Sequence, residues 1–214
     1  MNKKNLCILP WISLDRNADT SNPSFAPCCL YQSKKEFHDF DEYWSSSELA
    51  NIKKEMLDGK RPSGCWKCWH DEDAGKKSMR QSVNESRLEP HFDYIDKDFK
   101  KPLQVKLLAG ASCNLACRMC QSHVSSKVFK VWETIGLPTQ KPYAYDEVSD
   151  KLIRDYADAV RYIDLMGGEP LYNKKVHKLI DWLVVNNHSS HITIYLTTNA
   201  MILDQKLIDN LNKF

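Results

Sequence analysis

The sequence of 214 residues lacks both a long apolar run and a strong charge of one sign. A helix that spans a bilayer needs about 20 consecutive, mostly apolar residues, and the sequence contains no such stretch. The first residues, MNKKNLCILPW, also lack the apolar core and the small-residue cleavage site of a secretory signal peptide. We therefore expect a cytoplasmic protein with no membrane partner.

Basic and acidic residues nearly balance, with 30 lysines and arginines against 28 aspartates and glutamates. This balance predicts no extended basic surface of the kind that binds nucleic acids, so we expect no nucleic-acid partner. Glycine is scarce, with seven residues in the chain, and the adjacent pair Gly167 and Gly168 therefore stands out. The length allows one or two domains with a sizeable core.

Cysteine, in contrast, is abundant, with eight residues. A disulfide framework is typical of small secreted domains, whereas clustered cysteines in a reducing compartment more often bind metal. The cysteines form two groups, one before residue 70 and one in a single short loop. Two metal sites in two modules are therefore expected. The groups are Cys7, Cys28, Cys29, Cys65 and Cys68, then Cys113, Cys117 and Cys120.

The first group lies on short strand-like runs and a C-x2-C knuckle. A run from Cys7 to Leu14 and a second from Phe25 to Tyr31 predict a hairpin with thiols on both arms. Such a hairpin can bring Cys7 and one further cysteine to the knuckle, which completes four ligands. Because adjacent strand residues point to opposite faces, only one of Cys28 and Cys29 should bind. We choose Cys28.

A polar stretch separates this group from the second. Asp41 is expected to cap a helix that runs to about Leu57. A further helix is predicted over about 72–85, and its basic residues are interpreted as a solvated face. These residues are Lys76, Lys77, Arg80 and Arg87. The predicted organisation is a cysteine-rich α+β module over residues 1–80, a linker over 81–101 and an α/β unit over 102–214.

The second group follows an apolar strand, Leu103–Ala109, and reads CNLACRMC. Thiolates favour zinc, Cu(I) or iron-sulfur clusters, and three of them in one loop can hold a [4Fe-4S] cluster whose fourth iron stays open. Strands and helices then alternate to the last residue, which predicts a parallel sheet with right-handed crossovers. Three motifs follow successive strands: the cysteine loop, Gly167-Gly168-Glu169-Pro170 and Thr198-Asn199. In a βα barrel such positions form the active site.

These motifs resemble those of the radical S-adenosylmethionine (SAM) superfamily: CNLACRMC is similar to its CxxxCxxC loop, and residues 167–170 are similar to its GGEP motif. The resemblance implies that Cys113, Cys117 and Cys120 hold a [4Fe-4S] cluster that binds SAM. It also implies that Gly167, Gly168, Glu169, Pro170 and Asn199 bind SAM, with the glycines letting the backbone approach the ligand. Met119 stands where many members carry an aromatic residue near the adenine.

The first module resembles the twitch or SPASM auxiliary module of the same superfamily, which implies a second [4Fe-4S] cluster on Cys7, Cys28, Cys65 and Cys68. In the members best known for it, this module follows the barrel, whereas here it precedes the barrel. The alternative from ligand chemistry is a four-cysteine zinc site.

The function implied is reductive cleavage of SAM to a 5′-deoxyadenosyl radical for hydrogen abstraction, with a peptide or protein as substrate and an electron donor such as flavodoxin or ferredoxin. The enzyme class would be an oxidoreductase or a transferase. Two alternatives stay open, a zinc-stabilised binding protein and a non-catalytic, cluster-binding fragment. The fold class implied is α/β, with three βα units of a TIM-type barrel that usually has six, so we expect the chain to continue beyond Phe214.

Overall fold

A computed structural model of the protein describes residues 5–17, 23–86, 89–95 and 101–214. Its contacts divide the chain into two compact units. The first unit contains the residues up to Asn17 and Ser24–Pro102, and the second contains Leu103–Phe214. Arg87, one of the basic residues discussed above, lies outside the described residues.

The first unit is a small α+β arrangement in which short helices surround one antiparallel strand pair. Strands β1 and β2 pair with Asp15 opposite Ala26 and Arg16 opposite Phe25. Two antiparallel strands therefore form as predicted, but residues 9–12 make a helical turn, β1 begins only at Ser13 and β2 ends at Ala26. The expectation of thiols on both arms is wrong, because neither Cys7 nor Cys28 lies on a strand. The elements are α1 (Leu9–Ile12), β1 (Ser13–Asn17), β2 (Ser24–Ala26), α2 (Phe40–Trp44), α3 (Ser47–Leu57), α4 (Trp66–Asp73) and α5 (Met79–Asn84).

The single helix expected from Asp41 to Leu57 is two helices, because the chain carries two capping residues. The Asp39 side chain accepts from the Glu42 amide at 2.9 Å and begins α2. The Ser46 hydroxyl accepts from the Leu49 amide at 3.1 Å and begins α3. Each cap satisfies an amide that the first turn of a helix leaves without a partner.

The single helix expected over about 72–85 is also replaced by two elements. Helix α4 ends at Asp73, and α5 begins after Ser78, whose side chain forms a capping box with Gln81. The interval 81–101, for which a linker was predicted, thus begins inside α5. It also contains a 3-10 helix, Glu89–Ile95, and belongs to the first unit.

The second unit confirms the predicted α/β class. Its strands are parallel in the order β3, β4, β5, with Leu107 opposite Leu165 and Leu165 opposite Leu196. Among the described residues, no helix is long and apolar enough to cross a membrane. The elements are β3 (Gln104–Leu108), α6 (Ser126–Thr134), α7 (Glu147–Asp155), β4 (Tyr162–Met166), α8 (Lys174–Val185), β5 (Thr193–Leu196) and α9 (Gln205–Leu211).

The core of this unit lies between the sheet and its helices. Val105, Leu107, Ile163 and Leu165 alternate along β3 and β4 and are buried, as expected for one face of a sheet. Helix α8 buries an apolar stripe whose members repeat at helical spacing. Its members are Val176, Leu179, Ile180 and Leu183. Strand and helix therefore place the loops after β3, β4 and β5 at one edge of the sheet.

Candidate functional site

The cysteine loop lies between β3 and α6, at the carboxyl end of the first parallel strand. Cys117 is exposed, while Cys113 and Cys120 are partly buried. The pKa of the Cys120 thiol is raised, first by burial and further by the Cys113 and Cys117 thiols of the same loop. All eight cysteines of the chain are described and are free thiols.

Hydrogen bonds from backbone amides hold this loop in shape. The Cys113 amide donates to the Ser126 hydroxyl at 3.3 Å, and the Ser126 amide donates to the Ala111 carbonyl at 2.7 Å. The Leu115 amide donates to the Cys113 sulfur at 3.4 Å. Such a bond stabilises a thiolate and orients it as a ligand. The loop therefore fits a cluster held by three cysteines with one open position.

Gly167 and Gly168 bring the loop after β4 against the loop after β3. A Cβ at Gly167 would stand 2.7 Å from the Gly110 carbonyl oxygen, and one at Gly168 would stand 2.6 Å from the Ser112 carbonyl oxygen. Both distances are shorter than a carbon and an oxygen tolerate. Glycine is thus required because this chain's own backbone comes close. The sequence had instead suggested that a bound ligand comes close.

Glu169 is buried, with 1% of its surface exposed, and its carboxylate joins two strand ends. Oxygen Oε1 accepts from the Thr198 hydroxyl at 2.6 Å and from the Leu171 amide at 3.0 Å. Oxygen Oε2 accepts from the Asn199 amide at 2.7 Å. A buried carboxylate needs such donors, and these three satisfy it within the protein. Glu169 therefore positions the loops after β4 and β5, whatever it contributes to a ligand.

Asn199 connects the third strand end to the cysteine loop. Its side-chain amide donates to the Asn114 side-chain oxygen at 2.9 Å, and its own oxygen accepts from the Met201 amide at 3.1 Å. The three motifs thus lie together, joined by hydrogen bonds across residues that are 85 positions apart in the chain. Pro170 is buried at the start of a 3-10 turn, whereas Met119 is 93% exposed.

The family comparison covers this unit. A profile of the radical SAM superfamily matches residues 108–214, which is half of the chain. The chain belongs to the radical SAM superfamily. A curated relative, the FeMo cofactor biosynthesis protein NifB of Methanocaldococcus infernus, is 23% identical over 128 residues. That alignment covers 58% of this chain and 41% of the relative, so the chain spans about two fifths of that protein. No solved structure gave a significant match.

A second cysteine cluster lies in the first unit, outside the residues that match the radical SAM profile. Cys7, Cys28, Cys65 and Cys68 line one cavity. Burial raises the pKa of Cys7 and of Cys65 to about 12, and neighbouring thiols of the same set add to each shift. The remaining lining is mostly apolar: Leu9, Leu30, Tyr31, Met79 and Arg80. The four cysteines named from the sequence are therefore brought together.

The C-x2-C pair is positioned by the start of α4. Cys65 is the N-cap residue and Cys68 lies in the first turn, so both thiols face the same side of the helix. Gly64 lets the loop after β2 dock here, because a Cβ at this position would stand 2.3 Å from the Tyr31 ring. The Gln32 amide completes the contact by donating to the Gly64 carbonyl at 3.0 Å. This docking brings Cys28 to the pair.

The choice of Cys28 over Cys29 has a different physical basis from the one expected. Strand β2 ends at Ala26, so neither cysteine lies on a strand and the alternation of strand faces does not apply. Cys28 instead lines the cavity, while Cys29 is exposed. Burial also raises the pKa of Cys28 well above its usual range.

The spacing of the thiols bears on which metal group fits the cavity. Within the described part of the chain, no three Cys, His, Asp or Glu side chains are grouped so as to hold a single metal ion. A zinc ion needs all its sulfurs at about 2.3 Å, whereas a [4Fe-4S] cluster binds each sulfur to a different iron. The absence of a single-ion grouping in the described part of the chain applies equally to Cys113, Cys117 and Cys120, so it does not separate the two metal groups, and four cysteine thiols that line one cavity suit either of them.

Two residues of this site were not assigned to it from the sequence. Arg80 was interpreted as part of a solvated face, but it is 5% exposed and lines the cavity, so that interpretation is wrong for Arg80. The Tyr31 hydroxyl donates to Glu48 at 3.0 Å while its ring covers the knuckle. The capping box at Ser78 was the available signal, because it predicts a new helix with its own buried face.

Proposed function

We propose that the protein is a radical SAM enzyme that cleaves S-adenosylmethionine reductively to start hydrogen abstraction from a substrate. The observation that carries this proposal is that hydrogen bonds join the cysteine loop, the GGEP turn and Asn199 at one edge of the parallel sheet. When bound on these cysteines, a [4Fe-4S] cluster supplies the electron that splits SAM into methionine and a 5′-deoxyadenosyl radical. The protein supplies position and electrostatics.

In this proposal each motif has a distinct task. The three cysteines hold the cluster, and the Leu115 amide steadies the Cys113 sulfur. Glu169 and Asn199 keep the three strand ends at fixed separations through the hydrogen bonds described above. Asn199 is partly exposed, and the remaining lone pair of its side-chain oxygen is available to the ammonium of SAM. Met119 presents an apolar side chain to solvent beside the cluster cysteines, where it can cover an adenine face.

We further propose that Cys7, Cys28, Cys65 and Cys68 bind a second [4Fe-4S] cluster. Their shared cavity and its mostly apolar lining support this assignment. Four thiolates fill all four iron positions, so this cluster would store or transfer electrons and would not bind SAM. An external donor such as flavodoxin or ferredoxin, in a reducing compartment such as the cytoplasm, completes the proposal.

The proposed substrate is a peptide or protein. An open pocket in the first unit, lined by polar and apolar residues, is the candidate surface for part of such a substrate. Tyr31 lines both this pocket and the four-cysteine cavity. Polar residues of the pocket are Lys34, Glu48, Asn51 and Glu55.

Anaerobic reconstitution with iron and sulfide tests the proposal. We expect about eight iron atoms per chain, an absorption band at about 400 nm, and 5′-deoxyadenosine when SAM and dithionite are added. Cys117→Ala should abolish 5′-deoxyadenosine formation and leave about half of the iron, because the four-cysteine site is untouched. Stoichiometric zinc without iron would contradict both cluster assignments.

A further inference from the structure

We propose that Arg80 sets the reduction potential of the four-cysteine site by holding a buried positive charge beside it. This inference rests on the second cluster of the proposed function. Arg80 acts through charge and position and contributes no ligand, so it is a positioning residue.

The first step is that the guanidinium is fixed. It donates twice to the Glu72 carboxylate, from Nε at 3.0 Å and from Nη2 at 2.7 Å, and once from Nη1 to the Leu6 carbonyl at 2.7 Å. It also lies over the Trp69 ring, 4.8 Å from its centroid. A bidentate pair and a ring contact restrict a long side chain to one placement.

The second step is that this fixed charge faces the cavity. Among the described residues that line the cavity, Arg80 is the one with a permanent charge. Its partner Glu72 does not line the cavity.

The third step concerns the pair as a whole. Burial alone would raise the pKa of Glu72, but the hydrogen bonds from Arg80 and Ser78 outweigh burial and lower it. Glu72 is therefore ionised and partly neutralises Arg80. Removing either partner should change the field at the cavity, and the two changes should have opposite signs.

The direction of the effect follows from charge. A cluster bound by four thiolates is negative, and reduction adds one more negative charge to it. A nearby cation therefore favours the reduced form, and burial keeps solvent from screening that interaction. Loss of the cation should lower the potential, and loss of its counter-charge should raise it.

The experiment isolates the four-cysteine site in the full-length chain by changing Cys113, Cys117 and Cys120 to alanine. After anaerobic reconstitution, a redox titration followed by absorbance and electron paramagnetic resonance gives the ratio of oxidised to reduced cluster at each potential. Arg80→Gln removes the charge, Arg80→Lys keeps it, and Glu72→Gln removes the counter-charge. Arg61→Gln is the matched control, because Arg61 also lies over Trp69, at 5.4 Å, but does not line the cavity.

We expect Arg80→Gln to raise the oxidised-to-reduced ratio at least tenfold, which corresponds to about 59 mV for one electron. Arg80→Lys should change it less than threefold, Glu72→Gln should lower it, and Arg61→Gln should leave it within twofold. A loaded cluster whose ratio does not respond to Arg80→Gln, or that moves in the same direction in the Arg80 and Glu72 variants, overturns the role of Arg80 alone. Failure of the triple variant to bind iron overturns the second cluster itself, and the inference with it. If Arg80→Gln does not fold, the higher reduction potential expected for Glu72→Gln still decides the question, and an unchanged or lower potential overturns the role of the pair.

Discussion

Cys28 and Cys29 are neighbours in the chain, yet their surroundings give them different chemistry. Cys28 is partly buried and lines the four-cysteine cavity, whereas Cys29 is exposed. Burial disfavours the charged thiolate and raises the pKa of Cys28, with further contributions from Cys7 and Asp15. This difference in burial cannot be predicted from the sequence, because the two residues are identical and adjacent. It depends on where the loop after β2 docks.

This difference predicts which thiol reacts first. In the metal-free protein at pH 8, iodoacetamide should modify Cys29 at least tenfold faster than Cys28. The thiolate is the reactive form, and a raised pKa lowers its fraction at any pH below that pKa. Both residues should fall on one proteolytic peptide, so tandem mass spectrometry after timed quenching gives both rates in a single sample. Reconstitution with iron should slow Cys28 further and leave Cys29 unchanged.

The reverse order in the metal-free protein would contradict the placement of Cys28 in the cavity. Protection of Cys29 after reconstitution would show that Cys29 is the ligand. The peptide that contains Cys117, an exposed thiol in the same molecule, provides an internal reference for the rate of an accessible cysteine.

At the level of elements, the loops after β3 and β4 are held together by backbone contact. The Gly168 amide donates to the Gly110 carbonyl at 3.0 Å, and the Glu169 amide donates to the Ser112 carbonyl at 2.9 Å. These bonds continue the pairing of the two parallel strands into their loops. They carry the start of the cysteine loop against the GGEP turn, and a side chain at Gly168 would separate them.

Gly168→Ala should therefore destabilise the second unit and loosen the cysteine loop. Its Cβ would meet the Ser112 and Ala111 carbonyl oxygens at 2.6 and 2.7 Å, which are backbone atoms that cannot rotate away. Overpacking of this kind costs about 1–3 kcal/mol. Chemical denaturation measures this loss. Iron retained by a chain that carries Cys65→Ala and Cys68→Ala reports on the cysteine loop itself.

Gly136→Ala is the matched control. Gly136 follows α6 with φ +73°, and a Cβ there would meet no atom within 4 Å. Its substitution should cost about 1 kcal/mol through backbone strain and leave iron binding unchanged. Equal iron loss in the two variants would show that general destabilisation is responsible and would remove the specific role of Gly168.

The elements also show how much of the fold could be predicted from the sequence. The alternation of strands and helices in the second unit was predictable because Val176, Leu179 and Leu183 repeat at helical spacing and the strands are apolar runs. The chain before Leu14 was misread, since Ile8–Ile12 is as apolar as a strand but begins a helical turn with a proline in its first positions. Local composition does not decide between these two outcomes.

The candidate sites divide in the same way. The positions of the ligating cysteines could be proposed from their spacing, because ligand chemistry limits the choices. The groups that orient them could not, because Arg80 and Asn199 act through partners 74 and 85 positions away. Such pairs depend on how the elements pack. A polar residue within a polar stretch of sequence does not indicate that packing.

In the whole molecule, each cysteine cluster belongs to one compact unit. Every residue that lines the four-cysteine cavity lies in the first unit, and the cysteine loop with the hydrogen bonds that hold it lies in the second. Residues that position the thiols follow the same division, with Arg80 and Gly64 in the first unit and Ser126 and Asn199 in the second. Each site can therefore assemble from the contacts of its own unit.

This division predicts that the two clusters load independently. The double variant Cys65→Ala/Cys68→Ala should retain about four iron atoms per chain and still form 5′-deoxyadenosine from SAM with dithionite, because dithionite supplies the electron directly. Iron analysis and product chromatography on the reconstituted full-length chain measure both quantities. Replacing Cys29 with alanine is the control, since Cys29 is exposed and does not line the cavity, and it should leave about eight iron atoms. Loss of all iron in the double variant, while the chain still unfolds cooperatively, would show that loading of the second unit depends on the first. Retention of all the iron would show that these two thiols are not ligands.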